Sequence, residues 1–115
     1  MSLGQKQRLF TQLVGKLIEY AYQSGYELTL GEAYRTPEQA SLNAQKGSGI
    51  SNSLHTHRLA VDLNLFREDR YLIASEDHRP LGDYWKSLHP DCCWGGDFKP
   101  RADGNHYSMT YGGVK

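Results

Sequence analysis

Apolar residues recur at helical spacing along the first part of the chain. Leu9, Leu13 and Leu17 fall every four residues, and Phe10, Val14, Ile18 and Ala21 widen the stripe. This predicts a helix over 4–24 with one apolar face, capped at its C-terminus by Gly25. Residues 26–34, YELTLGEAY, alternate at first and suit a strand. Thr36-Pro37-Glu38-Gln39 reads as a helix start, with Thr36 as cap, Pro37 in the first turn and Gln39 closing a capping box. That helix should run to Lys46 and stop at Gly47, before a polar loop, GSGISNSL, at 47–54. The clearest strand is LAVDLNLF at 59–66. Leu59, Val61, Leu63 and Leu65 share one face, and Ala60, Asp62 and Asn64 the other. The charged run 67–70 reads as a turn, with 71–73 returning as a partner strand. A short helix is expected over 80–89, carrying Tyr84, Trp85 and Leu88, then a turn-rich stretch from Cys92 to Gly104, and a last strand over 106–111. No internal repeat is present. Helix, strand, helix and then strands predict an α+β fold, a small antiparallel sheet flanked by helices.

With 115 residues, one domain over 1–115 is expected, and nothing in the sequence calls for more than a monomer. Lys plus Arg balances Asp plus Glu at 13 each, which removes the basic footprint of a nucleic-acid binder. No apolar run approaches the roughly 20 residues of a membrane span. The segment MSLGQKQRLF lacks the apolar core of a secretory signal. The expected location is therefore the cytoplasm, with release by another agent if the substrate lies at the cell wall. Cys92 and Cys93 are adjacent, a spacing that resists an unstrained disulfide and does not match a zinc ribbon. They are expected to be reduced and partly buried.

Candidate chemistry begins at Asp62. An aspartate between Val61 and Leu63, in a strand so apolar on its other face, should line a polar cleft with partners, or its charge would be uncompensated. His55, where the polar loop ends, can converge on the same cleft. His106 follows a Gly/Asp-rich loop and opens the last strand. Two histidines and one aspartate give three zinc ligands and leave a fourth position for water, the arrangement of a catalytic site. Zinc lowers that water's pKa to about 7 and polarises a carbonyl. Asp103, three residues before His106, is the candidate base.

The segment from Ser53 to Asp62, SLHTHRLAVD, resembles the SxHxxGxAxD motif of the M15 peptidases, with Ser53, His55, Ala60 and Asp62 on motif positions. Tyr34-Arg35-Thr36 is similar to that family's upstream arginine block. Trp94-Gly95-Gly96 followed by Asp103-Gly104-Asn105-His106-Tyr107 resembles its C-terminal block. The three blocks occur in the family's order and span about residues 32–107. The resemblance implies a Hedgehog/DD-peptidase-like α+β domain, zinc ligands at His55, Asp62 and His106, and Asp103 as catalytic base. It also implies that Arg35 orients substrate or stabilises the oxyanion, and that Ser53 forms hydrogen bonds within the cleft. The implied activity is zinc-dependent hydrolysis of peptidoglycan stem peptides. The short chain favours an L-alanyl-D-glutamate endopeptidase of phage or prophage lysis. Alternatives are a D,D-carboxypeptidase or dipeptidase with the same metal centre, or a non-catalytic zinc-binding phage structural module.

One position departs from the motif: Arg58 stands where the family has glycine. Its side chain is expected to be exposed, with substrate contact as the alternative. His57 forms an HxH pair with His55 and could replace it as ligand, though a supporting or surface place is expected. His78 and His89 are expected to be solvated, and Trp85 and Trp94 to pack in the core or the cleft wall.

Overall fold

The computed structural model describes residues 1–47 and 53–115. The first helix, α1, spans Leu3–Gln23. Ser2 caps it and forms a capping box with Gln5, a start signal the apolar pattern alone did not reveal. Its C-terminus closes as predicted. Gly25 has φ +89°, its N–H donates to Tyr22 O, and Tyr26 N–H donates to Ala21 O. The buried stripe is Phe10, Leu13, Leu17 and Ala21.

Strand β1 is short, Glu27–Leu30, and β2 runs Ala60–Arg67. Helix α2, Pro37–Gln45, lies between them. Thr36 Oγ1 accepts from Gln39 N–H as expected, but the Gln39 amide donates forward to Asn43 Oδ1. The predicted box is therefore only half made. Most of the predicted loop over 47–54 lies outside the described residues. Its end, Leu54–His57, is a tight 3-10 turn capped by the Ser53 hydroxyl.

Strand β3, Arg70–Leu72, returns from β2 through Glu68 and Asp69. Both central residues have positive φ, which matches the twist of a two-residue hairpin. Helix α3 spans Arg79–Leu88 and is entered through a 3-10 turn at Ser75–His78. The stretch predicted to be all turns contains a strand, β4 at Cys92–Trp94, which pairs with β5, His106–Met109. Cys92 and Trp94 face the core and override the turn formers that follow them. The strand order is β1-β2-β5-β4, with β3 also on β2, and every pairing is antiparallel. The α+β expectation is met.

The core lies between the sheet and helices α1 and α3. Leu59, Val61, Leu63 and Leu65 all face it, as the alternation required. Trp85 and Trp94 are fully buried. Trp85 Nε1 donates to the carbonyls of Cys93 and Ser108, and Trp94 Nε1 to Gly104 O. Both cysteines are free, Cys92 buried and Cys93 half-buried. Burial pushes the Cys92 thiol up to about 12, so it is inert. Among the described residues no helix is long and apolar enough to cross a membrane.

Candidate metal centre

Three elements deliver the site. In the β2–β5 ladder Asp62 sits directly opposite His106. Directly paired residues project to the same face, so register alone brings this carboxylate and imidazole together. His55 arrives from the capped turn before β2 and is almost fully buried. His55 Nε2 lies 3.4 Å and His106 Nδ1 3.5 Å from Asp62 Oδ1. One ligand atom from each of the three lies within 4.8 Å of the others.

These separations are too long for good hydrogen bonds. They equal the ~3.4 Å expected between two ligands that each sit ~2.1 Å from one tetrahedral ion. Asp62 Oδ1 and His106 Nε2 are buried without a hydrogen-bond partner among the described residues. A buried carboxylate oxygen facing two imidazole nitrogens with no proton shared between them is a donor set that fits zinc. Burial alone would raise the pKa of Asp62, but His106 and His55 outweigh it and lower it to about 2. The carboxylate is thus ionised, as a ligand must be. Burial works against a charged His55, yet Asp62, the Ala33 carbonyl and Glu32 together raise its pKa.

The site has a supporting layer. His55 Nδ1 lies 3.3 Å from Ala33 O, a contact that places the proton on Nδ1 and frees Nε2 for a metal. Glu32 Oε1 is 3.6 Å from the same Nδ1 and ion-pairs with Arg35. Sequence reasoning missed Glu32. Pairing continues past β1, as Gly31 N–H donates to Asp62 O and Asp62 N–H to Glu32 O, and this brings Glu32 beside the site. The backbone can come so near Asp62 because residue 31 is glycine. An added Cβ there would lie 2.9 Å from Asp62 O and 3.1 Å from Asp62 Cβ. Gly95 does the same for the C-terminal block, since a Cβ would lie 2.0 Å from Asp103 O and 2.8 Å from His106 Cβ.

The cleft above these ligands has a volume of about 450 Å³. Arg35, Ser53, Asp103 and Arg101 line it together with the three ligand residues. Every site residue picked out in the sequence is therefore gathered at one place. Arg35 Nε is buried and free of hydrogen bonds among the described residues. The Ser53 hydroxyl accepts from His55 N–H and so fixes the turn that presents His55. Burial raises the pKa of Asp103 from its ordinary value, and Asp62 adds to this against the opposing pull of His106 and His55.

The remaining histidines separate clearly. His57 is half-buried, with its ring 5.2 Å from that of Tyr111, and stands outside the ligand cluster. His78 corrects an expectation. It is buried rather than solvated, with Nδ1 2.8 Å from the Tyr107 hydroxyl. It belongs to a 3-10 turn that the core pulls inward, not to an open connection. His89 is partly exposed, and its Nδ1 accepts from Asp91 N–H. Arg58 has φ +56°, the left-handed conformation that the motif glycine would adopt without strain. Its guanidinium lies over the Tyr34 ring, 4.1 Å from the centroid, on the outside of the molecule.

The fold is similar to that of two solved peptidases. The Serratia marcescens L-Ala D-Glu endopeptidase ChiX superposes with TM-score 0.69 at 17% identity, covering 93% of this chain and 85% of ChiX. The vancomycin-resistance D,D-pentapeptidase VanY of a VanB-type cassette, solved as a mutant with Zn(II), gives 0.56 at 18% identity, covering 87% and 70%. No curated protein matches the sequence. The family model described as D-alanyl-D-alanine carboxypeptidase, of the M15 peptidases, matches residues 46–109, which hold all three clustered candidate ligands. That match covers more than half of the sequence, and the chain belongs to the M15 zinc peptidases.

Proposed function

We propose that this chain cuts the L-alanyl-D-glutamate bond of peptidoglycan stem peptides, acting as one domain. The observation that carries the reading is the convergence of His55, Asp62 and His106 on the floor of a cleft also lined by Arg35 and Asp103. Zinc held by His55, Asp62 and His106 supplies a Lewis acid that acidifies water and polarises an amide carbonyl. Asp103 is the base. It lines the cleft beside the three candidate ligands, placed to accept a proton from the attacking water and return it to the leaving amine. Arg35, held by Glu32, keeps a donor free for the oxygen that becomes anionic as the carbonyl is attacked. Ser53 keeps the His55 turn in place at the cleft wall.

The family description favours one competing reading, D,D-carboxypeptidase action by the same centre. Muropeptides incubated with the zinc-loaded protein, with and without chelator, and read by mass spectrometry separate the two. New L-alanine carboxyl ends that disappear with chelator are expected. Loss of terminal D-alanine instead would replace the proposed bond by the competing one. Bound zinc with no product would leave a non-catalytic binding module.

A further inference from the structure

The sheet face that carries Asp62 does not end at the ligand cluster. Asp62, Asn64 and Phe66 alternate along β2 and share that face, so Asn64 lies about 7 Å and Phe66 about 14 Å beyond Asp62. On the same edge of β2, β5 pairs with Ala60–Asp62 and β3 with Leu65–Arg67. The two strands part at Leu63 and Asn64, and a pocket of about 240 Å³ opens in the notch. It shares Ala102 and Asp103 with the lining of the metal cleft, so the two pockets adjoin at these residues.

The lining has a distinct chemistry. Apart from Asp103, its polar groups are neutral: Asn64, Ser75, His78 and Asn105. Burial lowers the pKa of His78 and keeps its ring uncharged. The Asn105 side-chain amide makes no hydrogen bond with the described residues. At the mouth stand two exposed apolar side chains, Tyr71 at 56% and Ile73 at 78%, with the Tyr71 ring stacked on Phe66 at 5.1 Å.

We propose that this pocket is a subsite for the N-acetylated sugar that carries the stem peptide. The proposal rests on the stem-peptide reading above and gives it a direction. The Asn64 amide is taken up by Thr29 Oγ1 and the Tyr71 hydroxyl, which leaves the Asn105 amide beside the Tyr71 ring, a pairing that suits a pyranose with an acetamido group on one side and an apolar ring face on the other. A charged peptide residue would find no counter-charge there except Asp103. Reach selects the same ligand. Each residue spans at most ~3.6 Å, so a lactyl group plus one alanine bridges ~7 Å, the distance from Asp62 to Asn64. In an extended stem a D-Ala–D-Ala bond lies five such units, or ~18 Å, from the sugar, well beyond the notch.

The test is binding rather than turnover. The zinc-loaded protein is titrated by calorimetry with N-acetylmuramyl-L-alanine and with N-acetyl-L-alanine, neither of which contains the scissile bond. The sugar-bearing ligand should bind at least tenfold tighter. Tyr71→Ala and Ile73→Ser, both at exposed positions, should each reduce that ratio severalfold. Equal affinity for the two ligands, or a ratio unmoved by both substitutions, overturns the subsite. The muropeptide digest is independent of this outcome. Cleavage without a sugar preference sinks the subsite alone. A sugar preference without cleavage supports the subsite and sinks the proposed reaction.

Discussion

Glu32 ion-pairs with Arg35, and the same carboxylate oxygen lies 3.6 Å from Nδ1 of His55. One half-buried acid therefore orients both a candidate ligand and a candidate oxyanion donor. Glu32→Gln keeps the shape and removes the charge. Zinc affinity is expected to fall about tenfold or more, the usual effect of losing a partner that orients a ligating histidine. kcat should fall as well, because Arg35 loses its anchor. Competition with a chromogenic chelator measures the first effect and steady-state hydrolysis the second. Unaltered values for both would leave Glu32 as a surface acid with no part in the site.

Asp103 has a sharper signature. It stands beside the ligand cluster without being one of its members. Asp103→Ala should reduce kcat by about 10²–10⁴, the contribution of a positioned general base, with zinc still bound in a 1:1 ratio. Asp103→Asn should be equally slow, since an amide cannot accept the proton. A variant that hydrolyses muropeptides at the parent rate would move the base elsewhere.

The clustering of His55, Asp62 and His106 was legible in part because strand alternation exposes misfits. A charged residue at the centre of β2 demanded partners, but the register that sets His106 opposite it is a tertiary fact that the sequence pattern left open. Glu32 was not legible, because its importance depends on how close the backbone passes to Asp62 at Gly31, a tertiary fact. His78 was misjudged for the opposite reason. Its polar neighbours Glu76, Asp77 and Arg79 resemble a solvated connection, yet packing against Tyr107 buries it. Strand β4 was hidden by the glycines that follow it, since local composition carries no record of a partner strand more than ten residues away.

Arg58 tests how a motif glycine is replaced. Its φ of +56° costs a residue with a side chain roughly 1 kcal/mol, and stacking over Tyr34 returns about 0.5–1 kcal/mol. Arg58→Gly loses the stacking and relieves the strain, so its urea midpoint should stay close to the parent's. Arg58→Ala loses the stacking and keeps the strain, and should be less stable than the glycine variant by about 1 kcal/mol. An alanine variant as stable as the glycine one would mean that the left-handed turn carries no strain at this position.

His78 gives the protein a pH-dependent term away from the metal. Burial holds its folded-state pKa below the ordinary 6.5, and the smaller effect of Asp77 does not restore it. With Nδ1 unprotonated, this nitrogen accepts from the Tyr107 hydroxyl at 2.8 Å, and Tyr107 is itself fully buried. As pH falls through 6.5 the unfolded chain takes up the proton first. The contribution of His78 is therefore complete above that pH and shrinks below it, by up to ~1.4 kcal/mol per pH unit until the folded pKa is reached. His78→Gln retains an acceptor for Tyr107 and cannot titrate. Urea unfolding of chelated parent and variant between pH 7.5 and 5.5 removes metal binding from both curves, and subtracting one from the other cancels His55 and the carboxylates. The parent should lose its advantage steadily as the pH drops. A difference between the two proteins that stays constant over this range would show that His78 accepts a proton in the folded state as readily as in the unfolded one.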